Sequence, residues 1–301
     1  MADTTEGDTD VLYLGVLVLA LMALIAGLVI HSFIIGVNVS DWWRGRSVTP
    51  VDLIVTSLGI SRIGAQSVVT VYLFLVTVFF SSLDSALPLF FLDALYDFFV
   101  FTNFWLTSLL SIVLCLKISN LHTRLFLYLR KMISHRTGRL IVASVIFSGL
   151  YSSITLLMAI TNNTGNSGTY NVTTNDTFTN CVNNNSMYII TIGSFIPMIS
   201  YFTSSVLLFV SLYHHTTRMK MSSNLSINLE TYYSAMRLVS FTFLYNILYF
   251  VGHFFCVFYY FYYCVGTLWL YFAVGFLPAL HSSYLIYKTA KLRNQMSKVL
   301  Q

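Results

Sequence analysis

Arg62 is the residue whose position most demands an explanation. It stands inside PVDLIVTSLGISRI, an apolar stretch entered near Val51. At ~1.5 Å of rise per residue it lies roughly 15 Å into a hydrocarbon layer about 30 Å thick. A cation at that depth is costly and is kept facing the interior of a bundle. Asp93 and Asp97 also fall in an apolar stretch, four residues apart and therefore on one helical face. Asp93 reads as a cap near the headgroups. Asp97 is deeper, about 12 Å in, and is a candidate counter-charge for Arg62 or for a cationic ligand. The histidines, His253 included, read as packed or interfacial side chains.

Catalytic chemistry has no support. The chain holds no GxxxxGKS, GxSxG, HExxH or CxxC pattern, so no enzyme activity, metal or other cofactor is expected. Cys115 and Cys256 read as apolar packing residues. Cys181 and Cys264 fall on the exterior side of the topology set out below, where a disulfide could persist, and their pairing stays open.

The elements that must carry these residues follow from composition. The 301 residues are 56% hydrophobic and 9% charged, against about 25% charged in soluble domains. The chain is an integral membrane protein with no room for a sizeable soluble domain. The expected architecture is an all-α membrane protein, a seven-transmembrane helix bundle. Residues 1–10 form a short acidic N-terminus, 11–288 the bundle, and 289–301 a tail. The spans are placed at 11–37, 51–78, 89–116, 139–160, 187–212, 238–259 and 265–287, each long enough to cross as a helix.

Charge orients the bundle. Fifteen of the sixteen Lys and Arg lie in the 38–50 turn, the 117–139 and 213–237 stretches and the tail; Arg62 is the exception. The positive-inside rule then puts the N-terminus outside and the C-terminus in the cytoplasm. The net charge of +5 is thus a topology signal, and nucleic acid is not an expected partner; the lipid bilayer is. The 161–186 segment agrees: it carries N-x-S/T acceptors at Asn162, Asn171, Asn175 and Asn184, which imply a solvated lumenal surface. Within 117–139, Leu121, Leu125, Phe126, Leu129, Met132 and Ile133 recur at helical spacing among basic residues. That pattern suits a helix on an anionic leaflet or a docking surface for a cytosolic partner. An exterior cavity above a basic inner face is the layout of a receptor, in which an outside ligand biases a two-state bundle.

The motifs carry a resemblance over nearly the whole chain. FIIGVNVSDWWRGRSVTPVDLIVTSLGISRI resembles the first-loop and second-span signature of the type 2 (bitter) taste receptors, V-N-x-x-D-W-x-x-x-R followed by D-x-I-L-T-S-L-A-x-S-R. LCLKISNLHTRLFLYLR is similar to the family's L-K-I-A-x-F at the end of span 3. FIPMISYFTSSVLLFVSLYHHTTRM and PALHSSYLIYKTAKLR are similar to its span 5 and span 7 blocks. The resemblance implies a G-protein-coupled receptor of the plasma membrane. It implies bitter small-molecule ligands and a gustducin-type or related inhibitory heterotrimeric G protein. A vomeronasal type 1 pheromone receptor shares the layout but not DWWRGR or HSSYLIYKTAKLR. A small transporter or channel subunit would want two equivalent halves with paired broken helices, or a legible filter.

By the same resemblance the ligand site lies in the outer half, at Tyr96, Val100, Tyr249 and Tyr271; Asp97, from its depth, and Asn103 are further ligand-binding candidates. Asp97 with an aromatic lining would favour cationic amphipathic ligands. His31, Tyr96 and Val100 depart from the family's usual Asn, Trp and Asn. Arg62 ties span 2 to spans 1 and 7 in the family, which makes His31 and Ser282 its expected partners; simple electrostatics favours Asp97 instead. The G-protein face is expected at Lys117, Leu121, His215, Arg218, Met219, Lys291 and Arg293.

Overall fold

The computed structural model describes residues 3–79, 87–118, 124–165, 184–221, 226–263 and 268–299, with side chains over somewhat narrower stretches. These form α1 (Asp3–Trp43), α2 (Pro50–Phe79), α3 (Leu87–Ile118), α4 (Arg124–Gly165), α5 (Asn184–Met221), α6 (Ser226–Tyr263), α7 (Leu268–Lys288) and α8 (Ala290–Val299). Among the described residues α1 to α6 each hold a stretch long and apolar enough to cross a membrane. α7, 21 residues long, completes a seven-helix bundle, and α8 folds back beneath it.

The pattern is that of a protein whose solvent is lipid. Leu14, Ile25, Val29, Val142, Leu157, Ile192 and Leu244 face outward, while Arg62, Gln66, Asn103, Ser108, Asn246 and His281 are buried. Backbone groups in hydrocarbon must be satisfied within the segment, and only helices do this without sheet closure. Intramembrane hydroxyls follow the same logic. Thr70, Thr102, Ser144 and Ser148, all buried, each donate to the carbonyl one turn back, so these hydroxyls are satisfied within their own helices.

α3 is the central helix, packed against α2, α4 and α5. Phe101, Phe104 and Leu106 are fully enclosed. Close approach to α2 depends on Gly64. A Cβ there would stand 2.4 Å from the Phe99 ring, the small-residue contact that lets membrane helices pack tightly.

The α1–α2 turn is written in local chemistry. Gly45 adopts φ 71°, and its N–H reaches the Trp42 carbonyl while that of Arg46 reaches Asp41. These two bonds close a Schellman motif around a left-handed glycine. α2 then opens with a capping box. The Thr49 hydroxyl accepts from the Asp52 N–H, and Asp52 accepts from the Thr49 backbone. Pro50 takes the first helical position, where no donor is needed.

The 117–139 stretch is not a separate helix on the membrane surface. From Arg124 it runs without a break into the fourth span. Three of its apolar residues serve the bundle: Ile133 is buried, and Leu129 and Met132 pack against the cluster around Ile54, Leu58, Leu109 and Leu110; Leu121 and the side chains of Leu125 and Phe126 lie outside the described residues. The basic side chains Lys131, Arg136 and Arg139 point outward. At Leu129, Met132 and Ile133 neighbouring helices, rather than a leaflet, take the apolar side.

Candidate functional site

Two polar clasps and one apolar cavity stand out. The first clasp lies midway along the bundle, around Arg62, which is 4% exposed. Its Nε donates to Asn103 Oδ1 on α3 at 3.3 Å. Nη1 donates to Ser282 Oγ at 2.8 Å and to His281 Nδ1 at 3.2 Å, both on α7. Guanidinium has only donors, so His281 Nδ1 must be the acceptor and its proton resides on Nε2. Nε2 then donates to Thr242 Oγ1 on α6 at 3.4 Å. The His281 ring stacks on Tyr245, centroids 4.2 Å apart, and the guanidinium carbon lies 5.7 Å from the Tyr245 centroid. From α6 the connection continues into α5: Tyr201 donates to the Thr242 carbonyl and accepts from Asn246. One arginine thus links α2, α3 and α7 directly, and reaches α6 through His281.

Of the expected partners of Arg62, Ser282 is in contact. His31 is fully buried nearby but forms no hydrogen bond to it, and both ring nitrogens lack partners. Asp97 is not a partner: among the described residues no carboxylate lies within 4.0 Å of Arg62. Asp97 instead meets Thr155 of α4. His281, which carries the link to α6, was not singled out from sequence; the only signal was its position beside Ser282 in the PALHSSYLIYK block.

The second clasp sits at the basic end. Lys291 of α8 lies 3.0 Å from Asp41 and 3.4 Å from Asp52, and donates to Asn38 Oδ1 at 3.0 Å. Asp41 also meets Arg46 at 2.9 Å, and Asn38 donates to Thr56. Leu292 is buried beside Ile34 and Ile286. Lys291 is therefore engaged by α1 and α2 while Lys117 and Arg293 are exposed. His215, Arg218 and Met219 lie on the last turns of α5, but their side chains, like that of Tyr271 on α7, are outside the described residues, as is all of Leu121.

The apolar cavity, about 260 Å³, opens between α5 and α6 in the half of the bundle away from the basic end. Phe104, Phe195, Met198, Phe250, Val251 and Phe254 form its walls, with Thr191, Ser194 and His253 as polar points. Phe104 is its floor. It stacks on Phe250 at 4.4 Å and meets Tyr249 and His253 edge-on. Tyr96, Asn103 and Tyr249 border a different cavity of about 20 Å³, which Arg62 also lines. Val100 is sealed in the core between them, 1% exposed. Asp97 lines neither cavity. Asn162 and Asn184 fall on the far ends of α4 and α5 with undescribed side chains. Asn171, Asn175, Cys181 and Cys264 lie outside the described residues.

The taste receptor protein family TAS2R matches residues 9–301. The chain belongs to that family. It is 26% identical over 236 residues to human taste receptor type 2 member 2, 75% of each chain. It is 28% identical over 219 residues to rat taste receptor type 2 member 134, 71% of this chain and 63% of that one. Taste receptor type 2 member 9 of Macaca mulatta is 32% identical over 122 residues, 40% and 39% of the two chains. This member of TAS2R is accordingly a bitter taste receptor, a multi-pass membrane protein that takes small-molecule ligands and couples to G proteins.

Proposed function

We propose that this receptor binds lipophilic, largely aromatic bitter molecules in the α3–α5–α6 cavity and signals through a gustducin-type G protein. The observation that carries the ligand reading is the lining. Four Phe rings and a Met surround about 260 Å³, slightly below the usual range of small-molecule sites, with three polar points to orient a ligand. Among the described residues no carboxylate lines that space, so the preference for cationic ligands expected from Asp97 is not part of this reading. Phe104 and Phe250 form its inner wall, and Tyr201, which bonds the Thr242 carbonyl, lies against Phe250. A ligand that displaces those rings biases the same interhelical contacts that run to His281 and Arg62, which is how occupancy would reach the other end of the bundle.

The orientation follows from charge. The N-terminus is extracellular and the basic end is cytoplasmic in the plasma membrane, so the sequons at Asn162, Asn171, Asn175 and Asn184 face outward as glycosylation sites. The G-protein face is then Lys117, Leu121, His215, Arg218, Met219 and Arg293, with Lys291 holding α8 in place. Calcium imaging with and without a chimeric promiscuous G protein, across a panel of bitter compounds, tests the assignment. The expected result is G-protein-dependent responses to neutral aromatic agonists that Phe104→Ala or His253→Ala shifts by tenfold or more at matched surface expression. Unchanged potency in both variants would remove the cavity from the account.

A further inference from the structure

The Arg62 clasp is short of one thing. Every group that accepts from the guanidinium is neutral: an amide oxygen, a hydroxyl and the lone pair of an uncharged imidazole. Nη2 has no acceptor. A full charge therefore sits 4% exposed in the middle of the bundle with no counter-charge among the described residues. Desolvating an uncompensated ion is among the largest penalties a fold can carry.

Beside it is a small space. The cavity of about 20 Å³ is bounded by Arg62, Gln66, Asn103, Tyr96 and Tyr249, and closed by Ala65, Val69 and Pro278. It has room for one water-sized or slightly larger particle, and is too small for a carboxylate, phosphate or sulfate. Asn103 gives its oxygen to Arg62, so the remaining end of its side chain is an amide donor. The surroundings thus offer the Arg62 charge and amide donors, beside the one amide acceptor of Gln66, among Ala65, Val69, Pro278 and the rings of Tyr96 and Tyr249, and among the described residues no carboxylate lines the space.

We propose that this cavity is a binding site for a single monovalent halide, chloride in the cell, which neutralises Arg62 and accepts from Nη2. A water molecule would meet the hydrogen bond but leave the charge. A halide meets both. Because Arg62 joins α2, α3 and α7, bound chloride stabilises that helix arrangement and is linked to any ligand that favours it.

Purified receptor in nanodiscs is heated in chloride or in gluconate at constant ionic strength, and anion binding is read separately from chloride NMR line broadening. The expected melting temperature is about 3 °C higher in chloride at tenfold over the dissociation constant, with bromide substituting for chloride. Ala65→Val, which keeps Arg62 but fills the space, is expected to abolish both the shift and the broadening; Arg62→Gln should do the same wherever it folds. Equal stability in chloride and gluconate would overturn the proposal in favour of a water-filled cavity. A chloride effect that survives Ala65→Val would overturn it by placing the ion elsewhere. Neither readout involves a bitter agonist, so the result is independent of the ligand assignment above.

Discussion

Arg62 and Lys291 are both cations that tie several helices together, and they do it under opposite conditions. Lys291 reaches two carboxylates, Asp41 and Asp52, with 35% of its side chain exposed. Arg62 is 4% exposed and meets only neutral acceptors. At the end of the bundle water and salt screen the charges, so the ion pairs contribute little and geometry is forgiving. In the middle each unmet donor carries its full desolvation cost. Arg62 therefore needs the planar fork that lysine lacks, whereas at Lys291 a compact charge suffices. The consequence is a rigid junction at the centre and an adjustable one at the basic end.

The largest expected effect comes from breaking the central clasp. Arg62→Ala strands Asn103, His281 and Ser282 and should destabilise the receptor by about 3 kcal/mol or more, read as a lower melting temperature in detergent and reduced surface expression. Arg62→Lys sharpens the comparison, since it keeps the charge and loses the fork; it should recover less than half of that loss. Next is Gly64→Ala, which pushes a methyl into Phe99 on the same α2–α3 contact and should cost roughly 1–3 kcal/mol by overpacking. Thr49→Ala removes the α2 cap and should cost about 1 kcal/mol, without changing agonist selectivity. Lys291→Ala is the mildest, less than about 1 kcal/mol and shrinking further as salt is raised. A Lys291→Ala loss as large as that of Arg62→Ala, and insensitive to salt, would erase the contrast.

Most of the framework was readable before any coordinates. The spans announce themselves because lipid demands long apolar helices, and Arg62 stands out because its depth follows from counting residues. The capping box at Thr49 and the turn at Gly45 are local signals too, but were not singled out from sequence. What was hidden is helix phase. α3 is enclosed on nearly every side, so no polar face marks its orientation. Tyr96, Val100 and Asn103 share one face, and Asp97, about 100° further round, faces Thr155 on α4. Sequence also split α4 at Arg139, because basic residues around Leu129 and Ile133 suggested a membrane surface. Their apolar neighbours belong to the core instead. His281 escaped notice for a related reason: a histidine next to a serine says nothing until α2 and α7 are brought side by side.

A double-mutant cycle between Arg62 and Ser282, read as melting temperature in nanodiscs, tests the central clasp most directly. Arg62→Gln, Ser282→Ala and the double variant are compared with the natural chain. The two losses should fall well short of additive, with a coupling of about 1–2 kcal/mol, as for a hydrogen bond to a charged group. Strict additivity would mean that the 2.8 Å contact holds nothing together, and the account of Arg62 as the junction of the bundle would fail.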